Sequence, residues 1–373
     1  MTTDTSVVYL DSTMSGAPAL SNTAGSLITL LDAGLVNGFG SITLDSLVIV
    51  DNVATGTIST GHNLAMVGDT GPVILIEGAS APAAINGRFR IQTIPNATTF
   101  TFITSGISNQ TATGTITAKR ASAGWEKAFS GTNKAAYRTL DVAGTQLLLR
   151  VDDTTTTYAR VRGYEAMSDV DTGTGPFPTD AQFSGGGYMY KASSGSPVPW
   201  ALYADSRMFY FFCDANGSDR WMGNFPFGDI ASYAASDAYC TFLSYGYSAT
   251  QTSYLYNLGT AQYAVLARSY TQLGGSIPSA RYSHGRVSTL ANAAQAYPSP
   301  VFNGILLWPV EVWENGDTAR GLLPGLWNPV HDDVDLAQGA LISNIPQLPG
   351  RDLLIQILAT GYRCAMDITG PWR

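Results

Sequence analysis

The groups able to do nucleophilic or metal chemistry are few in this chain and stand far apart. Its three histidines are His62, His284 and His331, and its three cysteines are Cys213, Cys240 and Cys364. A zinc centre needs His, Cys or acidic ligands at short spacings, and no HExxH, CxxC or HxH stretch occurs. Ser283 and His284 are adjacent, but the members of a catalytic triad come from distant positions that the fold brings together. No Gly-x-Ser-x-Gly elbow is present, and no Gly-rich phosphate loop precedes a helical pattern. Ser184-Gly-Gly-Gly187 runs into a Tyr-rich stretch and reads as a flexible turn.

Carboxylates are the other candidates. Asp169-Val-Asp171-Thr-Gly173 opens like a calcium loop, yet Thr179 stands where such a loop needs its glutamate. His331-Asp332-Asp333-Val-Asp335 could offer oxygen ligands to a hard cation, but a solvated loop is the expected reading of both stretches. Asp152-Asp153, Asp180 and Asp237 fall in turn contexts. His62 lies in a Gly61-His62-Asn63-Leu64 turn, where hydrogen bonding to the backbone is expected. The cysteines read as small apolar side chains of a reducing compartment, with a Cys213–Cys240 bridge between neighbouring strands left open. These residues predict no catalytic, cofactor-binding or metal site, and a protein that is not an enzyme.

Composition narrows the field. Of the 373 residues 45% are hydrophobic and only 13% charged, about half the usual share of charge. With 39 Gly and 19 Tyr, such a chain suits surfaces covered by neighbouring subunits. Net charge is −8 and lysine occurs only at 119, 127, 134 and 191, so nucleic acid is not an expected partner. Arg160 and Arg162 share one strand face, where pairing with carboxylates is expected. No apolar run reaches spanning length, and Met-Thr-Thr-Asp lacks the regions of a signal peptide, which predicts a product soluble when made.

The elements that must position these groups read as mainly β. Residues 53–118 form a β-rich module with near-repeated ends, Ala54-Thr-Gly-Thr-Ile-Ser-Thr60 and Ala112-Thr-Gly-Thr-Ile-Thr-Ala118. Between them lie Val67-Gly68-Asp69, Val73–Ile76, Ala84-Ile-Asn-Gly87, Phe89–Ile91 and Thr98–Phe102. Pairing of the two like ends would bring entry and exit together, as an inserted module requires. The run from Gly61-His62 through Val67-Gly68-Asp69 to Ala84-Ile-Asn-Gly87 and Thr99-Phe-Thr-Phe102 resembles a small β module recurrent in tail proteins of tailed bacteriophages. Thr70-Gly-Pro72 departs from that pattern by delaying the next strand. Tyr9–Met14, Gly124–Phe129, Arg320–Trp327 and Asp367–Trp372 resemble phage structural protein as well.

Around the module, residues 1–52 and 119–373 read as one β-rich domain, an antiparallel sandwich or barrel with a short N-terminal helix. Leu27, Ile28, Leu30, Leu31 and Leu35 form a helical stripe within about 23–36, capped at Asn22 or Thr23 and ended by Asn37-Gly38. Its expected role is core packing, with docking on a partner subunit as the alternative. Strands are expected at Leu44–Val50, Thr145–Asp152, Tyr158–Tyr164, Gly187–Lys191, Trp200–Ala204 and Met208–Cys213. Further ones are expected at Ala238–Leu243, Tyr263–Ala267, Val301–Val312, Asp352–Leu358 and Cys364–Ile368. Met208–Cys213 should be buried on both faces; Pro309 marks an edge strand, and Gly321–Pro329 a turn-rich loop.

The resemblance implies a structural protein of a tailed-phage virion, assembled in the bacterial cytoplasm and placed in the tail or baseplate. Its partners would be other virion proteins and copies of itself, and it would insert in no membrane. A head-decoration protein and a receptor- or glycan-binding tail protein are the alternatives; a polysaccharide depolymerase lacks the expected β-solenoid repeats.

Overall fold

The computed structural model describes residues 2–215, 224–246, 248, 263–282, 297–301, 303–331, 336–359 and 362–373. It is mainly β, as expected, with antiparallel sheets that curl and one short helix.

Strand Met208–Cys213 organises the main body. Phe209, Phe211 and Cys213 point into one core and Met208, Tyr210 and Phe212 into another, all fully buried. Strict alternation on a strand flanked by Trp200–Ala204 and Phe225–Asp229 sends successive side chains to opposite sides, so both faces are apolar. The sheet runs from Val8–Asp11 through these strands to Thr241–Ser244, Ala264–Leu266, Ile277–Tyr282 and Leu307–Glu314. It continues through Thr318–Pro329, Tyr362–Asp367 and Leu353–Ala359 to Leu341–Ile342. Its two halves share the second core, in which Tyr210 and Phe212 meet Val312, Leu323, Leu326 and Met366. The first core lies against a second sheet, built on Trp125–Gly131, Lys134–Thr139, Leu148–Asp152, Tyr158–Met167 and Gly173–Phe177, with Gly187–Tyr190 also on Tyr158–Met167.

The helical stripe belongs to the first core: Leu27, Leu30, Leu31 and Leu35 are buried there, which is the packing role. The helix is shorter than its apolar stripe. Ser26–Leu31 is α-helical and Asp32–Asn37 widens into a π turn before Gly38 ends it at φ 72°. The expected Asn22 or Thr23 cap is not used. Gly25 stands at the N-cap in a left-handed conformation, and the Asp153 carboxylate accepts from Leu27 N at 2.9 Å instead.

The third sheet is a barrel-like unit wider than the expected module. Its order is Phe39–Thr43, Thr113–Arg120, Val73–Ala81, Gly87–Asn96, Thr99–Ile103, Val53–Thr57, Ser46–Val50 and Gln110–Thr111. Leu44 N donates to Ile116 O and Ala112 N to Leu47 O, so the sheet curls back on itself around Phe100, Phe102, Ile74 and Ile49. The two like ends do not pair. Val53–Thr57 pairs with Ser46–Val50 and Thr99–Ile103, while Thr113–Arg120 pairs with Phe39–Thr43 and Val73–Ala81. Entry and exit meet one strand further out, where Phe39 faces Arg120.

Another expectation changes. Gly321–Pro329 is strand, within Thr318–Pro329: Glu311 faces Leu322 and Pro309 faces Trp327, so the residues between form a bulge that absorbs Pro324-Gly325. Leu307–Glu314 is flanked on both sides only over Glu311–Glu314, by Ile277–Tyr282 and Thr318–Pro329; Pro309 lies outside the stretch that Ile277–Tyr282 pairs with, at that same irregularity.

Candidate binding face

Leu307–Glu314 carries an unusual outer face. Residues directly opposite in an antiparallel pair share a face, so Ala231, Leu322, Glu311 and Tyr282 run in one row across four strands. Trp313, two residues beyond Glu311, lies on the same side, and its ring meets Tyr282 edge-on at 5.6 Å. Tyr233 follows strand Ala231–Ser232, held by its own N–H donating to Arg320 O at 2.9 Å.

Glu311 ties these rings together. Tyr233 Oη donates to its Oε1 at 3.0 Å and Trp313 Nε1 to its Oε2 at 2.9 Å. Partial burial, then the bond to this carboxylate, raises the Tyr233 phenol above its ordinary pKa. Tyr233 is 57% exposed, whereas Trp313, Tyr282 and Glu311 are half-buried. A carboxylate has about four acceptor directions, so Glu311 keeps capacity for further donors.

A buried clamp fixes the loop that carries Tyr233. Arg320, 2% exposed, donates to Asp237 Oδ2 from Nη2 at 2.5 Å, to Arg268 O at 2.9 Å and to Glu314. Glu314 in turn accepts from Tyr270 N at 3.0 Å. Arg268 is bidentate to Glu165, at 2.6 and 2.5 Å, and lies 4.0 Å over the Tyr239 ring. Paired this way, these charges serve position rather than proton transfer.

Behind the same loop is a groove of about 540 Å³ lined by Gly144, Thr145, Arg207, Asp229, Ser232 and Asp237. Asp229 accepts from Thr145 Oγ1 at 2.7 Å, Thr145 N at 2.8 Å and Thr241 Oγ1 at 2.9 Å. Burial works to raise the nearby Asp141 carboxyl, but bonds from Ala143 N and Ser206 Oγ and the Arg207 charge outweigh it and hold it low.

The residues singled out in the sequence are not brought together here. His62 accepts from Leu64 N at Nδ1 and faces Asn96 O through Nε2, both at 3.0 Å, which makes it a backbone-bonded turn residue. His331 accepts from Leu306 N at 2.6 Å and meets the Tyr297 ring edge-on. His284, Asp332, Asp333 and Asp335 lie outside the described residues. Asp171 pairs with Lys134 at 2.9 Å and Arg150 at 2.5 Å, so the calcium-like loop is spent on cations of the protein itself. Among the described residues no group of three or more His, Cys, Asp or Glu could hold a metal. Arg162 pairs with Asp180 at 2.5 Å as expected, whereas Arg160 donates to the carbonyls of Ser184, Gly185 and Gly186 and stacks on Tyr188. Cys213 and Cys240 are free thiols in different cores, on opposite faces of the sheet, so they do not bridge.

Sequence reasoning missed Glu311, Tyr233 and Tyr282 as a group. The alternation in Trp308–Trp313 puts Glu311 and Trp313 on one side, but Tyr233 arrives from 78 residues away. Comparison with protein-family models and with curated proteins finds no match to this chain.

Proposed function

We propose that this chain is a structural component of a tailed-phage virion, in the tail or baseplate, and that it works through subunit contacts rather than catalysis. The resemblance of the 53–118 segment to a tail-protein module is one support. The observation that carries the reading is how the few charges are used. All four lysines are paired with carboxylates: Lys119 with Glu77, Lys127 with Asp32, Lys134 with Asp171 and Lys191 with Asp153. Meanwhile Val142, Val301 and Leu273 stand 90%, 85% and 74% exposed. A surface whose lysines are already neutralised while large apolar groups face water suits contact with other subunits.

Mass spectrometry of purified particles, separated into heads and tails, tests the proposal. The chain should be found in the tail fraction, at a fixed ratio to other tail proteins. Its presence on heads alone would replace the reading by head decoration. Absence from particles that the same host cells release would reject both.

A further inference from the structure

We propose that the face formed by Tyr233, Glu311, Trp313 and Tyr282 is a binding site for an uncharged oligosaccharide. The inference goes beyond the virion reading and stands without it. A pyranose ring offers a patch of C–H groups edged by hydroxyls, so its receptor needs aromatic rings to lie against it and a fixed acceptor beside them. Both are present. Tyr233 reaches solvent, Trp313 and Tyr282 stand on the neighbouring strands Leu307–Glu314 and Ile277–Tyr282, and Glu311 sits between Tyr233 and Trp313.

The rings are set before any ligand arrives. Glu311 holds the Tyr233 hydroxyl and the Trp313 indole, and the Arg320 clamp to Asp237 and Glu314 fixes the loop behind them. Little ordering remains to be done on binding, which favours affinity for a small, weakly interacting ligand.

Charge selects the class of ligand. Arg320, beside the face, is 2% exposed and already bonded to two carboxylates, so it is not available to a phosphate or an acidic sugar. The carboxylate on the face itself repels anions and accepts from hydroxyls. It also argues against a protein partner, because the cores of protein interfaces are depleted of charged residues.

Isothermal calorimetry on the full chain, with chitotetraose, maltotetraose and cellotetraose as probes, tests this. At least one probe should bind saturably. Trp313→Ala should weaken that binding about tenfold or more, and Tyr233→Phe, which keeps the ring but loses the bond to Glu311, by about threefold. Tyr233→Phe alters no buried packing and keeps the test meaningful if Trp313→Ala fails to fold. The proposal is overturned if none of the three probes binds, or if binding survives Tyr233→Ala. It is also overturned if the wild-type chain self-associates through this face, seen as a concentration-dependent mass that Tyr233→Ala abolishes.

Discussion

Lys191 and Asp153 form an ion pair with both side chains fully shielded from water. The same carboxylate accepts from Leu27 N at 2.9 Å, and Lys191 Nζ also donates to Thr23 O at 2.7 Å. One pair therefore pins the N-terminal turn of the helix to the ends of two strands, Leu148–Asp152 and Gly187–Tyr190. Burial pushes the Asp153 carboxyl up and the Lys191 ammonium down, against their mutual attraction.

Removing one partner should therefore cost more than removing both. Lys191→Met strands a buried carboxylate and is expected to destabilise by about 3–5 kcal/mol, and Asp153→Ala adds the lost helix cap. The double change Lys191→Met with Asp153→Ala should recover part of the sum. Urea unfolding of the four proteins measures the coupling. Single variants within about 1 kcal/mol of wild type would show that the pair carries no such penalty.

Arg90 should decide how firmly the barrel-like unit is attached. It is buried, and its guanidinium donates to Asp4 O, to Gly71 O at 2.8 Å, Val7 O at 3.0 Å, Thr369 O at 3.1 Å and Ile368 O at 3.4 Å. Arg90→Met leaves several buried carbonyls without a donor, and a loss of about 3 kcal/mol or more is expected. Deletions test the boundary. Joining Gly38 to Ala121 removes whole strands, whereas joining Asn52 to Lys119 leaves Phe39–Thr43 and Ser46–Val50 without partners. The first remainder should unfold cooperatively, and the second should aggregate. The opposite pattern would contradict the pairing.

Stability should fall in acid through the Asp152–Asp171 cluster. The hydrogen bonds from Lys134 and Arg150 lower Asp171. Burial works to raise Asp152, but the bonds from Thr154 and Arg150 prevail and lower it too. Depressed carboxylates contribute stability that is complete above their unfolded pKa, about 4, and is lost as pH falls through the lower folded values. Thermal midpoints measured from pH 5 to pH 2 should decline, and less steeply in Asp171→Asn. An identical slope in that variant would remove Asp171 from the account.

The thiols should be silent until the protein unfolds. Burial pushes Cys240 and Cys364 up to about 12 and Cys213 higher still, so thiolate is scarce at neutral pH and access is blocked as well. A thiol reagent should titrate no cysteine in native protein and three after denaturation. Two fewer after denaturation without reductant would reveal a disulfide and contradict the free thiols.

Much of the strand pattern is local and was readable as such. Trp200–Ala204 and Met208–Cys213 match their expected bounds, because an apolar, aromatic-rich run shielded on both sides leaves little choice of conformation. Thr318–Pro329 was unreadable for the converse reason: Pro324-Gly325 signals a turn, and only the bulge opposite Leu307–Glu314 lets a strand carry it. The two like ends suggest partners by their likeness, yet they pair with other strands. Register follows which face is buried, and Ser46–Val50 buries Leu47 and Ile49 in the barrel.

From its residues alone this chain is a β protein, with a leucine-striped helix and thiols suited to burial, since those features depend on side-chain periodicity and hydrophobicity. Tertiary structure alone decided that Asp153 caps the helix, that Arg90 ties the barrel-like unit to both chain ends, and that Tyr233 meets Glu311. Each of those contacts joins residues distant in sequence through directional hydrogen bonds, and direction is set only once the sheets have packed.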